Sequence, residues 1–297
     1  MTAPRPAPTP RPAPRPAPLP PILIEDMIRA ALREDFGRAG DITSAATIPA
    51  EAEATAIIAS REHGVLCGID FARAAFGAQH AGLSVEPLIA DGARIAPGDL
   101  VLRVSGNARA IMAGERVALN FMCHLSGIAS LTARFVDAVA GTGARIACTR
   151  KTTPGLRAAE KYAVRMGGGA NHRFGLDDAI LIKDNHIAVA GGVAAAVAAA
   201  KAYAGHLTAI EVEVDTIEQL HEALAAGAPV IMLDNFDAPR LREAVKIAAG
   251  RAVLEASGGV TLDTVRGLAE TGVDVISSSR ITMAAGTLDL GLDIEIA

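Results

Sequence analysis

Nine cations are packed between Arg150 and His186: Arg150, Lys151, Arg157, Lys161, Arg165, His172, Arg173, Lys183 and His186. They are threaded through CTRKTTPGLR, a triple glycine at 167–169, NHRFGLDD and LIKDNH, in a chain whose formal net charge is −5. A basic concentration on an acidic background suits a small, multiply charged anion. A nucleic-acid surface would carry a basic balance across the domain and aromatics for stacking. Aromatic residues are only 3% and tryptophan is absent, so nucleic acid is not an expected partner.

Within the run, Arg150 and Arg173 offer planar forks for carboxylate or phosphate, and Lys151 and Lys183 supply point charges. Arg150 and Lys151 are neighbours at a strand end, so their side chains diverge toward different anionic groups. The alternative is a set of surface charges paired with Asp177, Asp178 and Asp184. That alternative is the reading for Arg157, Lys161 and Arg165, which share i, i+4 spacing. His172 adjoins Arg173 after a glycine turn and is expected to touch substrate. His124 and His186 stay open, and the other four histidines sit where no catalytic role is expected.

The acids come next. Glu211 and Glu213 point the same way along a strand, and Asp234 ends the following one. Two carboxylates on adjacent strand ends, Glu213 and Asp234, make a hard oxygen site for Mg²⁺ shared with phosphates. A salt bridge to Lys183 is the competing use. Glu211 lies deeper and reads as structural. Ser257-Gly258-Gly259 precedes a helix starting near Thr261, so its backbone N–H groups can cradle a phosphate. A plain left-handed turn is the alternative. Ser277-Ser278-Ser279 is a weaker signal because serines also cap helices, and Arg280 after it adds charge.

Periodicity gives the elements that position these groups. Residues 2–21 are a Pro/Ala/Arg repeat holding ten of the sixteen prolines, expected to be a disordered tail (1–21). Ile24, Met27, Ile28, Ala31 and Leu32 form the stripe of an amphipathic helix. Strands and helices without strict alternation then make an α+β unit over 22–126. A helical stretch from Met112 to Ala140, broken near Ser126-Gly127, bridges to the second half of the chain. From Ala144 six short apolar runs alternate with Ala-rich helices, which requires parallel strands with right-handed crossovers. Arg150-Lys151, Lys183-Asp184, Glu213 with Asp215, Asp234-Asn235, Ser257 to Gly259 and Ser277 to Ser279 follow or end those strands. Polar groups at six successive strand ends converge on the mouth of a barrel, whereas an open sheet concentrates its ligand at one switch point. The expectation is therefore an α/β protein: an incomplete (β/α) barrel of about six to seven strands over 127–285. The alternating segment 286–297 is expected to return as a strand to the first domain.

Cys67, Cys123 and Cys148 show no metal spacing, no apolar run approaches a membrane span, and the N-terminus lacks an apolar signal core. A cytoplasmic protein is expected, with three unpaired thiols.

At these residues the chain resembles the quinolinate phosphoribosyltransferase family. The resemblance runs through EDFGRAGDITS, HGVLCGID, GERVALNFMCHLSGIAS, the block from TRKTTPGLRAAEKYAV to LIKDNHI, EVEVDT, LDNF and EASGGV. It implies an N-terminal sandwich and an incomplete barrel, and a Mg²⁺-dependent transfer of phosphoribose from phosphoribosyl pyrophosphate to quinolinate, yielding nicotinate mononucleotide, pyrophosphate and CO₂ in NAD synthesis. It implies that Arg150, His172, Arg173 and Thr149 hold quinolinate, with Arg116 arriving from the other subunit of a homodimer or larger oligomer. Lys151 and Lys183 would contact the phosphoribosyl pyrophosphate and the reacting carboxylate, Glu213 and Asp234 ribose and Mg²⁺, and Ser257, Gly258 and Gly259 the 5′-phosphate, with Ser278 and Ser279 nearby. The segment ISSSRITM departs from the family's usual ISVGALTH, placing Ser279 for a glycine and Met283 for a histidine. A serine hydroxyl or Arg280 is then available to replace lost contacts. Two rivals stand beside this reading: a related transferase using another pyridine or pyrimidine acid, and a silent metabolite-binding protein.

Overall fold

The structure is a computed structural model that describes residues 16–295. The tail reading for residues 1–15, and Ile296 in the terminal alternation, lie outside the described residues. The first helix, Pro21–Phe36, opens with proline at its first position, where no N–H is needed, and buries Ile24, Ile28 and Leu32. Five strands come after it in a mixed region: β1 (Glu53–Ser60), β2 (Gly64–Val65), β3 (Ser84–Pro87), β4 (Arg94–Ile95) and β5 (Leu100–Asn107). The main sheet of this domain is completed by the last strand of the chain, β12 (Leu290–Glu295), in the order β12-β1-β5-β3 with every pair antiparallel. Phe71, Phe76, Ile58, Leu102, Ile111 and Met122 are almost wholly buried in the core it shares with the flanking helices. Phe71 stacks on Phe121 with ring centroids 5.0 Å apart.

Helix Ala108–Ala138 is 31 residues long and unbroken, so the expected interruption at Ser126-Gly127 is absent. Those two residues are small for another reason. The Ser126 hydroxyl is buried and links to both backbone groups of Cys67, at 2.9 and 3.0 Å. Gly127 faces the Gly286 carbonyl so closely that a β-carbon would collide with it. Serine and glycine here mark close backbone approach within a continuous helix.

Six parallel strands form the second domain: β6 (Arg145–Ala147), β7 (Ile180–Ile182), β8 (Ile210–Val214), β9 (Val230–Asp234), β10 (Val253–Ser257) and β11 (Val275–Ser277). Their order is β6-β11-β10-β9-β8-β7, and no pairing joins β7 to β6 among the described residues. This is the incomplete barrel the strand pattern implies. Registers such as Ser257 opposite Asp234 and Ser277 opposite Ala147 bring the strand ends level. Thr216, Asp237 and Thr261 cap the helices after β8, β9 and β10, fixing where each chain turns away. A short helix, Asp184–Ala190, starts directly after Lys183, too brief to show a periodic signal in the sequence. Among the described residues no single helix is long and apolar enough to cross a membrane.

Helix propensity alone says that Gly127→Ala should stabilise the protein by about 1 kcal/mol. The Gly286 contact predicts the opposite, a loss of about 2 kcal/mol or more from overpacking against backbone. Urea denaturation of the two proteins decides between them, with a lowered midpoint expected.

Candidate active site

Two adjoining cavities open at the C-terminal ends of the barrel strands. The first, about 290 Å³, is walled by Thr149, Arg150, His172 and Arg173, with Lys151, Lys183, Glu213 and Asp234 toward its other side. Leu181 and Met232 supply apolar floor. The second, about 450 Å³, is bounded by Ser257, Gly258, Gly259 and Thr261 on one side and by Ser278, Ser279 and Arg280 on the other. Thr149, Lys151, Asp234, Ser257 and Ser277 belong to both and form the shared wall. Residues more than a hundred positions apart thus meet around two cavities with a common wall. Arg116 is the exception: it is exposed on helix Ala108–Ala138 and lines neither cavity of its own chain.

The first cavity is strongly polarised. The buried Nε groups of Arg150 and Arg173 have no hydrogen-bond partner, although Arg173 anchors one terminal nitrogen on the Ala179 carbonyl at 3.1 Å. Burial, and then the charge of Arg150 beside it, hold the Arg173 guanidinium below its ordinary value. Two unpaired guanidinium edges facing one space are what a dicarboxylate would satisfy. Neither arginine pairs with Asp177, Asp178 or Asp184. Asp178 instead accepts from the Phe174 and Gly175 N–H groups and shapes the loop after Arg173.

The surface reading of Lys161 is overturned. This lysine is 2% exposed, and its ammonium donates to the Cys148 thiol sulfur at 3.0 Å and the His172 carbonyl at 2.8 Å. Arg157 is also turned inward, donating to the Arg150 and Phe174 carbonyls and to Thr152. Only Arg165 remains an exposed charge. The i, i+4 spacing correctly puts these residues on one face, but that face meets the loops carrying Arg150 and Arg173 instead of solvent. Glu160, fully buried, adds a third clamp by accepting from His124 at 3.1 Å and from the Thr153 N–H.

Beneath the arginines lies a cluster that the sequence only half discloses. His172 Nε2 donates to Glu211 at 2.7 Å and lies 3.9 Å from Glu255. The hydrogen bond from His172 agrees with the structural reading of Glu211. Glu255 escapes sequence reasoning, because a glutamate inside an apolar strand gives no signal until its neighbour across the barrel is known. Burial, and then the Glu211 charge, raise the Glu255 carboxyl to about 7. Burial lowers the basicity of His172, but Glu211 and Glu255 outweigh it and hold the imidazole above its ordinary value.

At the opposite side, Lys183 pairs with Glu213 at 3.0 Å, so the salt bridge weighed as a competing use is present, inside the cavity. Burial, then the charges of Glu213 and Asp215, raise the Asp234 carboxyl, while Lys183 and Lys151 pull it down. Crowded carboxylate oxygens whose repulsion perturbs one of them suit a hard divalent cation. In the second cavity, Gly258 sits at φ 93°, and a β-carbon there would run into the Asn235 side chain, so the position excludes any side chain twice over. The Ser278 hydroxyl donates to the Val260 carbonyl at 3.2 Å, tying together the two loops that line this cavity. Thr282 donates to the Lys151 carbonyl at 2.7 Å, joining this loop to the shared wall.

Against known families, residues 41–126 match the quinolinate phosphoribosyl transferase N-terminal domain and residues 128–293 match its C-terminal domain. The chain belongs to the quinolinate phosphoribosyltransferase family. Among relatives of this family, the nicotinate-nucleotide pyrophosphorylase [carboxylating] of Mycobacterium leprae is 46% identical over 91% of this chain and 96% of its own. A probable enzyme of the same name from Bacillus subtilis is 42% identical over 89% and 91%. The structure of nicotinate-nucleotide pyrophosphorylase from Francisella tularensis superposes with a TM-score of 0.90, at 39% identity, covering 94% of this chain and 98% of that one. The quinolinate phosphoribosyltransferase fold is thus shared over both domains.

The Glu255 proton has a measurable effect on stability. The unfolded chain releases it near the ordinary value of 4.5, and the folded chain keeps it to about 7. Stability from this group is therefore present at low pH and is lost as pH rises across that window. Glu255→Gln removes the ionisation. Its melting temperature relative to wild type should climb by about 5 °C between pH 5 and pH 8, and a difference independent of pH would contradict the assignment.

Proposed function

We propose that this chain catalyses the reaction of its family: transfer of phosphoribose from phosphoribosyl pyrophosphate to the ring nitrogen of quinolinate, followed by loss of CO₂. The observation that carries this reading is the pairing of a cationic pocket, with two unsatisfied guanidinium edges, to a Ser-Gly-Gly loop across one shared wall. A diacid docks on Arg150, Arg173, His172 and Thr149. The phosphoribosyl group reaches along the wall, with its 5′-phosphate at Ser257, Gly258 and Gly259 beside the start of helix Leu262–Ala269.

The reacting atoms then lie at the wall itself. The pyridine nitrogen forms a bond to the anomeric carbon as the bond to pyrophosphate breaks. Positive charge grows on the ribose ring and is stabilised by Glu213 and Asp234, which also hold its hydroxyls. Lys151 and Lys183 stabilise the leaving pyrophosphate and the 2-carboxylate. In the second stage the bond between C2 and its carboxylate breaks, and the electron pair stays on C2, stabilised by the positive charge of the adjacent pyridinium nitrogen, until a proton from solvent takes the place of CO₂. Glu213 and Asp234 are the residues that would hold Mg²⁺, which when bound neutralises pyrophosphate charge. The Lys183–Glu213 pair holds the carboxylate in place beforehand.

Arg116 is assigned to the pocket of a neighbouring subunit, which makes a homodimer the smallest active unit. Its exposure and its absence from both cavities of its own chain support that reading. A cytoplasmic location accords with the unpaired cysteines Cys67, Cys123 and Cys148.

The decisive assay is incubation with quinolinate, phosphoribosyl pyrophosphate and Mg²⁺. Nicotinate mononucleotide and CO₂ should appear together, and faster turnover of nicotinate without CO₂ would reassign the substrate. Lys183→Ala should lower kcat/KM by about 100-fold. Mixing Arg116→Ala subunits with Arg173→Ala subunits should restore activity in the hybrid, because one of its pockets is then complete. No recovery at any ratio would place Arg116 outside the site.

A further inference from the structure

Arg280 stands at the far end of the second cavity, exposed at the start of the short segment Arg280–Met283. Among the described residues its guanidinium makes no ion pair and no side-chain hydrogen bond, unlike Arg266 and Arg240, which are paired within their own helices. The loop before it is fixed from three directions. The Ser278 N–H donates to the Ala147 carbonyl, the Ser278 hydroxyl bonds the Val260 carbonyl, and the Arg280 N–H donates to the Ser278 hydroxyl at 3.3 Å. Thr282, 4% exposed, locks the following turn to Lys151. An unpaired cation is therefore presented by a rigid loop, not by a mobile one.

The same cavity contains a second unsatisfied group. Ser277, 2% exposed on the wall common to both cavities, makes no hydrogen bond of good geometry, although its hydroxyl lies near enough to Glu255 to favour that group's ionised form. Of the two cations lining this cavity, Lys151 also belongs to the acid pocket and serves the reacting centre. Arg280 belongs to the second cavity alone. Apart from Lys151 on the shared wall, a phosphate there would otherwise rest on neutral N–H and hydroxyl groups, while carrying nearly two negative charges at neutral pH.

We propose that Arg280 is a substrate-binding residue that supplies the dedicated positive charge for the 5′-phosphate of the phosphoribosyl donor. It acts opposite the Ser257-Gly258-Gly259 loop, so the phosphate is gripped between β10 and β11. The inference rests on the functional reading above and adds a contact that determines affinity for one end of one substrate. It also separates the two phosphate-bearing ends of the donor: the 5′ end meets an arginine, and the pyrophosphate end meets lysines.

Ribose 5-phosphate and inorganic pyrophosphate, used as competitive inhibitors of the full-length enzyme, distinguish these ends. Arg280→Ala should raise KM for phosphoribosyl pyrophosphate and Ki for ribose 5-phosphate by roughly tenfold or more. Ki for pyrophosphate and KM for quinolinate should stay within about twofold. Arg280→Lys should recover part of the loss because it keeps charge without the fork. If Arg280→Ala leaves Ki for ribose 5-phosphate unchanged, or weakens both inhibitors and quinolinate equally, the assignment is overturned. Wild-type protein that forms no nicotinate mononucleotide would instead defeat the functional reading. Calorimetric titration of ribose 5-phosphate into wild type and Arg280→Ala would still test Arg280 in that case.

Discussion

Like charges held together without direct neutralisation are the constraint around which the catalytic domain is arranged. Burial, and after it the charge of Arg150, hold Arg173 below its ordinary value, and the inner nitrogens of both are left without partners. Such an arrangement opposes folding and persists only if the surroundings over-determine it. Here they do. Lys161 grips the backbone of His172 from behind, Arg157 grips the carbonyls of Arg150 and Phe174, and buried Glu160 takes the Thr153 N–H. Helix Arg157–Met166 is in effect a bracket for two loops.

The carboxylates obey the same logic in reverse. Glu211 and Glu255 lie under His172, where burial disfavours two ionised groups and one proton is retained. The same two acids favour the charged form of the imidazole above them. Across the cavity, Glu213, Asp215 and Asp234 crowd together and are moderated by Lys183 and Lys151. The pocket thus combines a guanidinium pair with a group of carboxylates that is partly offset by lysines.

How much of this is legible in the sequence depends on whether a residue's surroundings are local. The six strand-end clusters can be read because parallel βα units place every strand terminus at one rim, whatever the rest of the fold does. The same holds for Ser257 to Gly259, whose role comes from the helix immediately after it. Lys161 misleads because charge and helical spacing do not reveal which way a helix face turns. Glu255 is silent because its significance lies in Glu211 and His172, which are distant in the chain. Ser278 lines the second cavity, and its bond to Val260 on the neighbouring loop is a contact that the local sequence does not announce. Ser126-Gly127 looks like a helix break because small residues serve equally for flexibility and for close approach, and only the Gly286 contact separates the two.

The antiparallel pairing of β12 with β1 has a consequence for biosynthesis. Ribosomes deliver β1 roughly two hundred residues or more ahead of its neighbour, so the first sheet waits with one edge uncovered while the whole barrel emerges. Vectorial folding therefore cannot proceed strictly from the amino end. The barrel can close its own core first, and the terminal strand then completes the earlier domain as the final step of maturation. Truncation of a few carboxy-terminal residues would leave the nascent amino-terminal domain with a persistent sticky edge and a tendency to aggregate.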